Sequence, residues 1–374
     1  MIIPSYVPDD AYIDPPKHII KRLVEMKGSF RAASLSIEKS DDFLRQIYKN
    51  GKRLRISDLK KILALLKCDY EINYVYPKLK KKPILIPRNT ETKEICRIIG
   101  HILGDGCIDK SFTVRYKNTK KELIKSFEND MMKVFGEGSK NDERVGNSTY
   151  SKTDAFEIRF SNVCGKTLHN MFGQFAYRKN EKYIPRKIFE YPDELKLCLL
   201  SAFIDDEGSV LQRRIAICQE HFKLVEDLIV LLKSLKLSPS VRDKTCDKAS
   251  FVYNNRYYSI EMYGCKDLQF LSKSLELRHP EKIKRLSELG RRYLKIKFKR
   301  RKNELEKEII SFFEEVPKAS STEISKIIKA DKETVRKKLV KLRERNIVKR
   351  IGNGGKTKYE LFLPKEDRPV SFSA

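Results

Sequence analysis

The feature that most constrains this chain is an internal repeat between residues 90 and 290. Ile98-Ile-Gly-His-Ile-Leu-Gly-Asp-Gly106 is matched by Leu200-Ser-Ala-Phe-Ile-Asp-Asp-Glu-Gly208. Each is an apolar helical stretch that carries small residues and ends in acid-Gly. The sequences that follow also match. After the first copy come a predicted strand from Phe112 to Tyr116, Asn118, and a helix from Lys120 to Val134. After the second come Arg214 to Cys218, Gln219, and a helix from Phe222 to Leu235. Farther on, a strand from Ala155 to Phe160 precedes a helix from Lys166 to Phe172, and Tyr257 to Met262 precedes Lys266 to Leu275. A repeat of this kind builds one unit twice. Asp105 and Glu207 fall at the same place in each copy.

Charge narrows the partners. The 374 residues carry a formal net charge of +28, and the acids fall far short of the lysines and arginines. So basic a chain repels itself unless an anion neutralises it, and the usual anion is nucleic acid, held through its phosphates. A lysine-rich solvated surface of the thermophile type would instead balance Lys with Glu. Apolar residues reach 40%, enough for a packed core. The apolar runs, such as Leu228 to Leu232, are too short to span a bilayer, and the N-terminus lacks the pattern of a signal peptide. The eight cysteines form no C-x-x-C pair, which argues against a zinc ribbon or finger. Reduced thiols and a cytoplasmic location are expected.

Two breaks flank the repeat: the lysine-rich stretch from Pro77 to Pro83, and the basic run from Arg291 to Lys302. The expected division is 1–76 helical, 77–92 linker, 93–190 and 191–290 the two repeats, 291–302 a basic linker and 303–374 a last domain. The first part reads as helices from Lys17 to Met26, Phe30 to Ile37, a third capped by Ser40 or Asp41 and closed by Gly51, and Ile56 to Leu66. With Arg45, Gln46 and Lys49 on the third, it resembles a helix-turn-helix. In the last part Leu305 to Phe313 is amphipathic, and Ser320-x-x-Glu323 opens a second helix as a capping box. Asp331 caps a third, bearing Arg336, Lys337 and Lys341, and strands follow around Gly352-Asn-Gly-Gly355. This order resembles a winged helix, whose third helix has the charge to enter a major groove.

The middle region, about half the chain, resembles the LAGLIDADG homing endonuclease family in its single-chain, two-motif form. The resemblance rests on both acid-ending helices and on the element order behind each. It implies an α+β fold in which two pseudo-symmetric αββαββα repeats form a saddle-shaped sheet, flanked by the helix-turn-helix and winged-helix domains. It implies Asp105 and Glu207 as metal ligands and catalytic residues, Asn118 and Gln219 as water-positioning residues, and Lys166 and Lys266 as basic groups near the site. It implies that the strand faces read duplex DNA, with Arg115, Lys117, Arg159, Gln212, Arg213, Arg256 and Tyr258 in or beside the strands. Alternation admits only some of these to that face.

The motif has its own physical logic. Helices packed side by side need small residues where backbones touch, which Gly100, Gly104, Ser201 and Ala202 would provide. An acid at each helix end brings two carboxylates together, and like charges at short range resist joint ionisation without a cation. Oxygen-only ligands favour Mg²⁺ (or Mn²⁺) over zinc. This chain departs from the family at Leu103, a position often occupied by Asp, and at Asp206, where a small residue is usual. A third carboxylate there is expected to disturb the helix packing or the metal site.

The chain starts Met1-Ile2 and ends Ser371-Phe-Ser-Ala374, without the nucleophile and His-Asn pair of an intein, so a free-standing or host-adopted protein is expected, and a monomer goes with the endonuclease reading that follows. The leading expectation is a metal-dependent, site-specific DNA endonuclease. The alternatives are a domesticated regulator that binds without cutting, from which the acids are typically lost, and a maturase acting on structured RNA. Helix-turn-helix modules favour duplex DNA over the narrow major groove of A-form RNA.

Overall fold

The structure is a computed structural model. It describes residues 3–78, 82–147, 154–176, 182–245, 256–294, 304–328, 330–352 and 357–362. The chain divides into two compact units, Met1–Gly290 and Arg291–Ala374.

The first unit opens with β1 (Tyr12–Ile13), α1 (Lys17–Lys27), α2 (Phe30–Ser36), α3 (Phe43–Asn50), β2 (Leu54–Arg55) and α4 (Ile56–Leu66). Ser29 caps α2 by accepting from the Ala32 amide. The expected caps of α3, Ser40 and Asp41, lie outside it. Asp42 stands at its N-terminus and accepts from Gln46 at 3.1 Å instead of from the backbone. Gly51 closes α3 in the left-handed region, as its position suggests. The lysine-rich stretch read as a linker lies between two short paired strands, β3 (Tyr74–Val75) and β4 (Ile84–Leu85). The Tyr6 hydroxyl donates to the Pro87 carbonyl at 2.7 Å, which ties the N-terminal segment to the end of this stretch.

The repeats follow as α+β units of the same order. The first is α5 (Lys93–Leu103), β5 (Gly106–Ile108), β6 (Val114–Asn118), α6 (Lys121–Phe135), β7 (Lys140–Asn147), β8 (Asp154–Phe160) and α7 (Asn162–Phe172). The second is α8 (Asp193–Glu207), β9 (Gly208–Val210), β10 (Ile215–Gln219), α9 (Phe222–Ser234), β11 (Ser240–Thr245), β12 (Arg256–Met262) and α10 (Cys265–Ser274), followed by α11 (Pro280–Leu294). Each makes a four-stranded antiparallel sheet, ordered β5-β6-β8-β7 and β9-β10-β12-β11. Register fixes the equivalence: Gly106 lies opposite Tyr116, and Gly208 opposite Ile217. Inner positions such as Val114, Tyr116, Ile158 and Phe160 are buried, as are Ile215, Ile217, Ile260 and Met262. The outward residues alternate with them.

α5 and α8 are buried on nearly every side, Ile95 through Leu103 and Cys198 through Asp205. Those spans include the polar Arg97, His101, Ser201 and Asp205, each of which finds a polar partner inside. The edge strands β7 and β11 carry mainly polar residues, and no apolar alternation announces them in the sequence. α11 enters the basic run read as a linker and reaches Leu294; the rest of that run lies outside the described residues.

The second unit holds α12 (Glu304–Glu315), β13 (Lys318–Ala319), α13 (Ser321–Ile327), α14 (Lys332–Glu344), β14 (Val348–Ile351) and β15 (Lys358–Leu361), with sheet order β13-β15-β14. Ser320 and Glu323 form the capping box in both directions, and Asp331 accepts from the Thr334 amide at 3.0 Å. Ile309, Phe312, Ile324, Val335, Leu339 and Leu342 make its core. The turn residues 353–356 lie outside the described ones. Among the described residues no helix is long and apolar enough to cross a membrane.

Candidate metal centre and nucleic-acid face

The site is built where α5 meets α8. A Cβ added to Gly100 would stand 2.5 Å from the Leu199 carbonyl oxygen and 2.9 Å from the Ala202 Cβ. One added to Gly104 would stand 2.7 Å from the Asp206 Cβ. The backbones therefore touch where the small residues are, with one exception. Ser201 turns toward the end of α10, and its hydroxyl accepts from the Glu276 amide at 3.0 Å while donating to the Leu197 carbonyl at 2.7 Å.

This contact brings the C-terminal ends of both helices together, and with them Asp105 and Glu207. Asp105 presents its carboxylate to solvent, yet protein crowds it from behind. That partial burial, followed by the charges of Asp206 and Glu207, pushes its pKa up to about 7. Glu207 is also held above the ordinary range, by burial first. Asn118, at the end of β6, donates from Nδ2 to Asp105 Oδ2 at 2.8 Å and orients it. Gln219 holds the matching place in the second repeat but does otherwise. Its Oε1 accepts from the amides of Glu220 and His221 at 2.9 and 3.4 Å.

Asp206 overturns the packing half of the expectation drawn from its charge, while that charge still raises the pKa of Asp105 beside it. Its side chain is fully buried, seated over Gly104, and it crosses from α8 into the first repeat. It accepts from the Tyr116 hydroxyl at 2.6 Å, lies 3.0 Å from His101 Nδ1, and accepts weakly from the Asp105 amide at 3.4 Å. Burial alone would lower the His101 pKa, but the Asp206 carboxylate outweighs it and raises it. The Tyr116 pKa is raised by burial and then by Asp206, so its hydroxyl keeps its proton and donates. The third carboxylate is therefore satisfied, and it binds the two helices together. Asp205, also buried, accepts from the amides of Arg278 and His279 at 2.8 and 3.0 Å, just ahead of α11.

Two lysines reach the helix ends. Lys182 Nζ donates to the carbonyls of Leu103, Gly104 and Gly106 at 2.9, 2.7 and 3.3 Å. Lys282 Nζ donates to those of Ile204, Asp205 and Asp206 at 2.9, 2.6 and 3.3 Å. Each sits where a helix dipole leaves partial negative charge. Burial lowers both pKa values against the pull of the neighbouring acids. Lys166 and Lys266, the basic candidates from sequence, stand elsewhere: Lys166 pairs with Asp10 of the N-terminal segment, and Lys266 is exposed at the start of α10. No local sequence signal marks Lys182 or Lys282, because both act on carbonyls of helices far away in sequence.

Among the described residues no group of three or more His, Cys, Asp or Glu is placed to hold an ion by itself. His101 is committed to Asp206, which leaves Asp105 and Glu207 as hard oxygen donors. Such a pair fits Mg²⁺ or Mn²⁺, because these ions retain waters and take remaining ligands from substrate phosphates.

On the first sheet Arg115, Lys117 and Arg159 share the outward face, since they alternate with buried Val114, Tyr116, Ile158 and Phe160. Arg115 pairs with Asp109 at 2.5 Å and Arg159 with Glu157 at 2.6 Å, while Lys117 is exposed. On the second, Gln212 and Arg213 are exposed before β10. Tyr258 faces the helices and packs on Phe222 at 5.4 Å between ring centroids. The Arg256 side chain lies outside the described ones. Arg45, Gln46 and Lys49 are exposed on α3, and Arg336, Lys337 and Lys341 on α14.

No protein-family model matches the chain. It is 24% identical over 294 residues to a subunit from the A-type ATP synthase of Methanopyrus kandleri, across 76% of this chain and 26% of that protein. It is 28% identical over 127 residues to the replicative DNA helicase DnaB of a Nostoc species, across 33% and 14%. The chain thus spans about a quarter of the first curated relative and about a seventh of the second. Among solved structures, the homing endonuclease I-DmoI in complex with DNA and Ca is similar at a TM-score of 0.37 and 12% identity, covering 52% of this chain and 98% of that one. The N-terminal LAGLIDADG domain of DUF199/WhiA is similar at 0.34 and 17%, covering 54% and 90%. Scores this low carry no weight for the fold, which rests on the element order and strand registers above.

Proposed function

We propose that the chain is a sequence-specific, metal-dependent endonuclease of duplex DNA, centred on the joined ends of α5 and α8. The observation that carries this reading is the matched placement of Asp105 and Glu207 at two helix ends whose backbones touch. Two carboxylates so placed hold a divalent cation between protein and phosphate. When bound, the cation supplies Lewis acidity and an activated water at the scissile phosphate. The chain's own groups do the rest. Asn118 orients Asp105. Lys182 and Lys282 set positive charge beside both acids and hold the last carbonyls of α5 and α8 in place. The outward faces of the two sheets, with Arg115, Lys117, Arg159 and Arg213, serve to read the duplex.

The net charge of +28 supports a polyanionic partner. The α2–α3 pair is read as a helix-turn-helix and the second unit as a winged helix, each offering a basic helix to a major groove. The two curated relatives bear unrelated names and are matched over a minor part of their length, so neither named role passes to this chain.

The test is cleavage of a randomised duplex library with Mg²⁺ or Mn²⁺. The wild type should cut, and Asp105→Asn or Glu207→Gln should each lose roughly 100-fold or more, about 2.7 kcal/mol of transition-state stabilisation. Tight binding without cutting by the wild type would replace this reading with a DNA-binding regulator. Preferential binding of folded RNA would replace it with a maturase.

A further inference from the structure

A group of cations sits away from the cutting site, at the seam between the N-terminal segment and the first repeat. β1 and β2 pair so that Tyr12 lies opposite Arg55, which sets both side chains on one face. Tyr12 is also bridged to Tyr76: its amide donates to the Tyr76 carbonyl at 2.9 Å, and its carbonyl accepts from the Tyr76 amide at 2.6 Å. Lys78 follows two residues on. The start of α7 supplies the opposite wall with Asn162, and a cavity of about 310 Å³ opens between them. β8, which leads into α7, ends at Phe160, whereas Asn118 stands opposite Phe156 toward the other end of the same pairing. The cavity is thus separate from the acids at the helix ends.

Its donors are unused. Among the described residues Arg55 and Lys78 have no ion pair, and the Tyr12 hydroxyl and the Asn162 side-chain nitrogen have no hydrogen bond. Neighbouring cations are matched: Lys60 with Asp9, Arg53 with Asp14 and Lys166 with Asp10. Asp10 lines the same cavity, yet it is taken by Lys166. Arg55, Lys78 and Lys166 therefore stand against one carboxylate. Cations gathered in a hollow draw an anion to it. A guanidinium fork, an ammonium, a phenol and an amide nitrogen all donate, and a phosphate accepts from each of them.

We infer that this cavity holds a backbone phosphate of the bound duplex, away from the scissile phosphates, with Arg55 and Lys78 as its charged contacts. The inference rests on the duplex-DNA reading above. That reading, with the net charge of +28, makes a polynucleotide the source of the phosphate. Such a contact fixes the position of the duplex without reading its sequence.

The experiment measures duplex binding by the full-length chain without divalent cation, so that cutting plays no part. A site selected by the wild type from a random library is compared with an unrelated duplex over a range of salt. The cavity variant carries Arg55→Gln and Lys78→Gln together. A control variant carries Lys21→Gln and Lys61→Gln, which removes as much charge from the same segment at lysines paired with Glu25 and Glu38. The cavity variant should bind both duplexes roughly tenfold or more weakly, with a salt slope shallower by about one. It should keep the sequence preference and melt where the wild type melts. Ethylation of a particular phosphate in the selected site should block the wild type and leave the cavity variant indifferent. An unchanged slope and interference pattern in that variant would overturn the inference. So would an equal loss in the control variant, the mark of net charge alone. Inorganic phosphate supplies a second arm: if it raises the melting temperature of the wild type while duplex binding by the cavity variant is unimpaired, the cavity takes a free anion and the backbone assignment fails. A wild type that binds duplex without cutting it sinks the endonuclease reading and leaves this contact standing; one that ignores duplex DNA sinks both.

Discussion

In the first repeat the tyrosine opposite Gly106 sends its hydroxyl across the helix pair to Asp206. In the second, Ile217 stands opposite Gly208 and contributes only packing. The same contrast recurs along the helices. Arg97 of α5 is buried and makes two 2.8 Å bonds to Asp130, whereas its counterpart in α8, Leu199, is a buried hydrocarbon. Gly104 faces Asp206. Asn118 holds an acid, and Gln219 holds backbone. One framework thus carries two kinds of interior. At these equivalent places the second repeat uses apolar packing or backbone contacts, and the first uses polar groups that depend on side chains from the second, Asp206 and Arg278 among them.

That contrast can be broken by substitution. The largest effect should come from Asp130→Ala, which strands the buried Arg97 charge and cuts its link to Arg278. A loss of about 3–5 kcal/mol is expected by chemical denaturation, and a loss below about 1 kcal/mol would show the polar interior of the first repeat to be dispensable. Tyr116→Phe removes a bond to a buried carboxylate and should cost about 1.5–3 kcal/mol. Ile217→Val, its counterpart, should cost only about 0.5–1.5 kcal/mol, and equal losses at the two places would erase the distinction. Gly104→Ala should cost about 1–3 kcal/mol through overpacking against Asp206. Combining it with Asp206→Gly should give a strongly non-additive cycle; simple additivity would mean that the two residues do not meet. The smallest effect belongs to Gln219→Ala, below about 1 kcal/mol on melting. Asn118→Ala, equally mild on stability, should weaken Mn²⁺ binding by titration calorimetry, a deficit Gln219→Ala should not share.

Much of this was readable before the structure. Both acid-ending helices, the strand–helix order behind each, and the cap at Asp331 follow from local pattern, because periodicity and capping are set by neighbours in sequence. What escaped depends on contacts across long separations. Lys182 and Lys282 matter through carbonyls of distant helices, and no local rule distinguishes them from the solvated Lys266. Asp206 looked disruptive since charge in a helix interface is costly alone. Its partners His101 and Tyr116 lie about a hundred positions away, and only the pairing of helices reveals them. Strand register was also hidden, so Tyr258 could not be told from an outward-facing neighbour. The polar edge strands β7 and β11 carried no apolar alternation to announce them.

The seat of Asp206 over Gly104 also settles which halves can mate. Two copies of the first repeat, joined through this helix face, would set Gly104 against Gly104 and leave His101 and Tyr116 without the carboxylate they share. Two copies of the second would press Asp206 against Asp206, with Phe203 in place of His101 and no hydroxyl to receive either carboxylate. Only unlike halves close. If the gene were cut between the repeats and both pieces expressed together, the fragments would find each other in preference to themselves, like a key cut for a single lock.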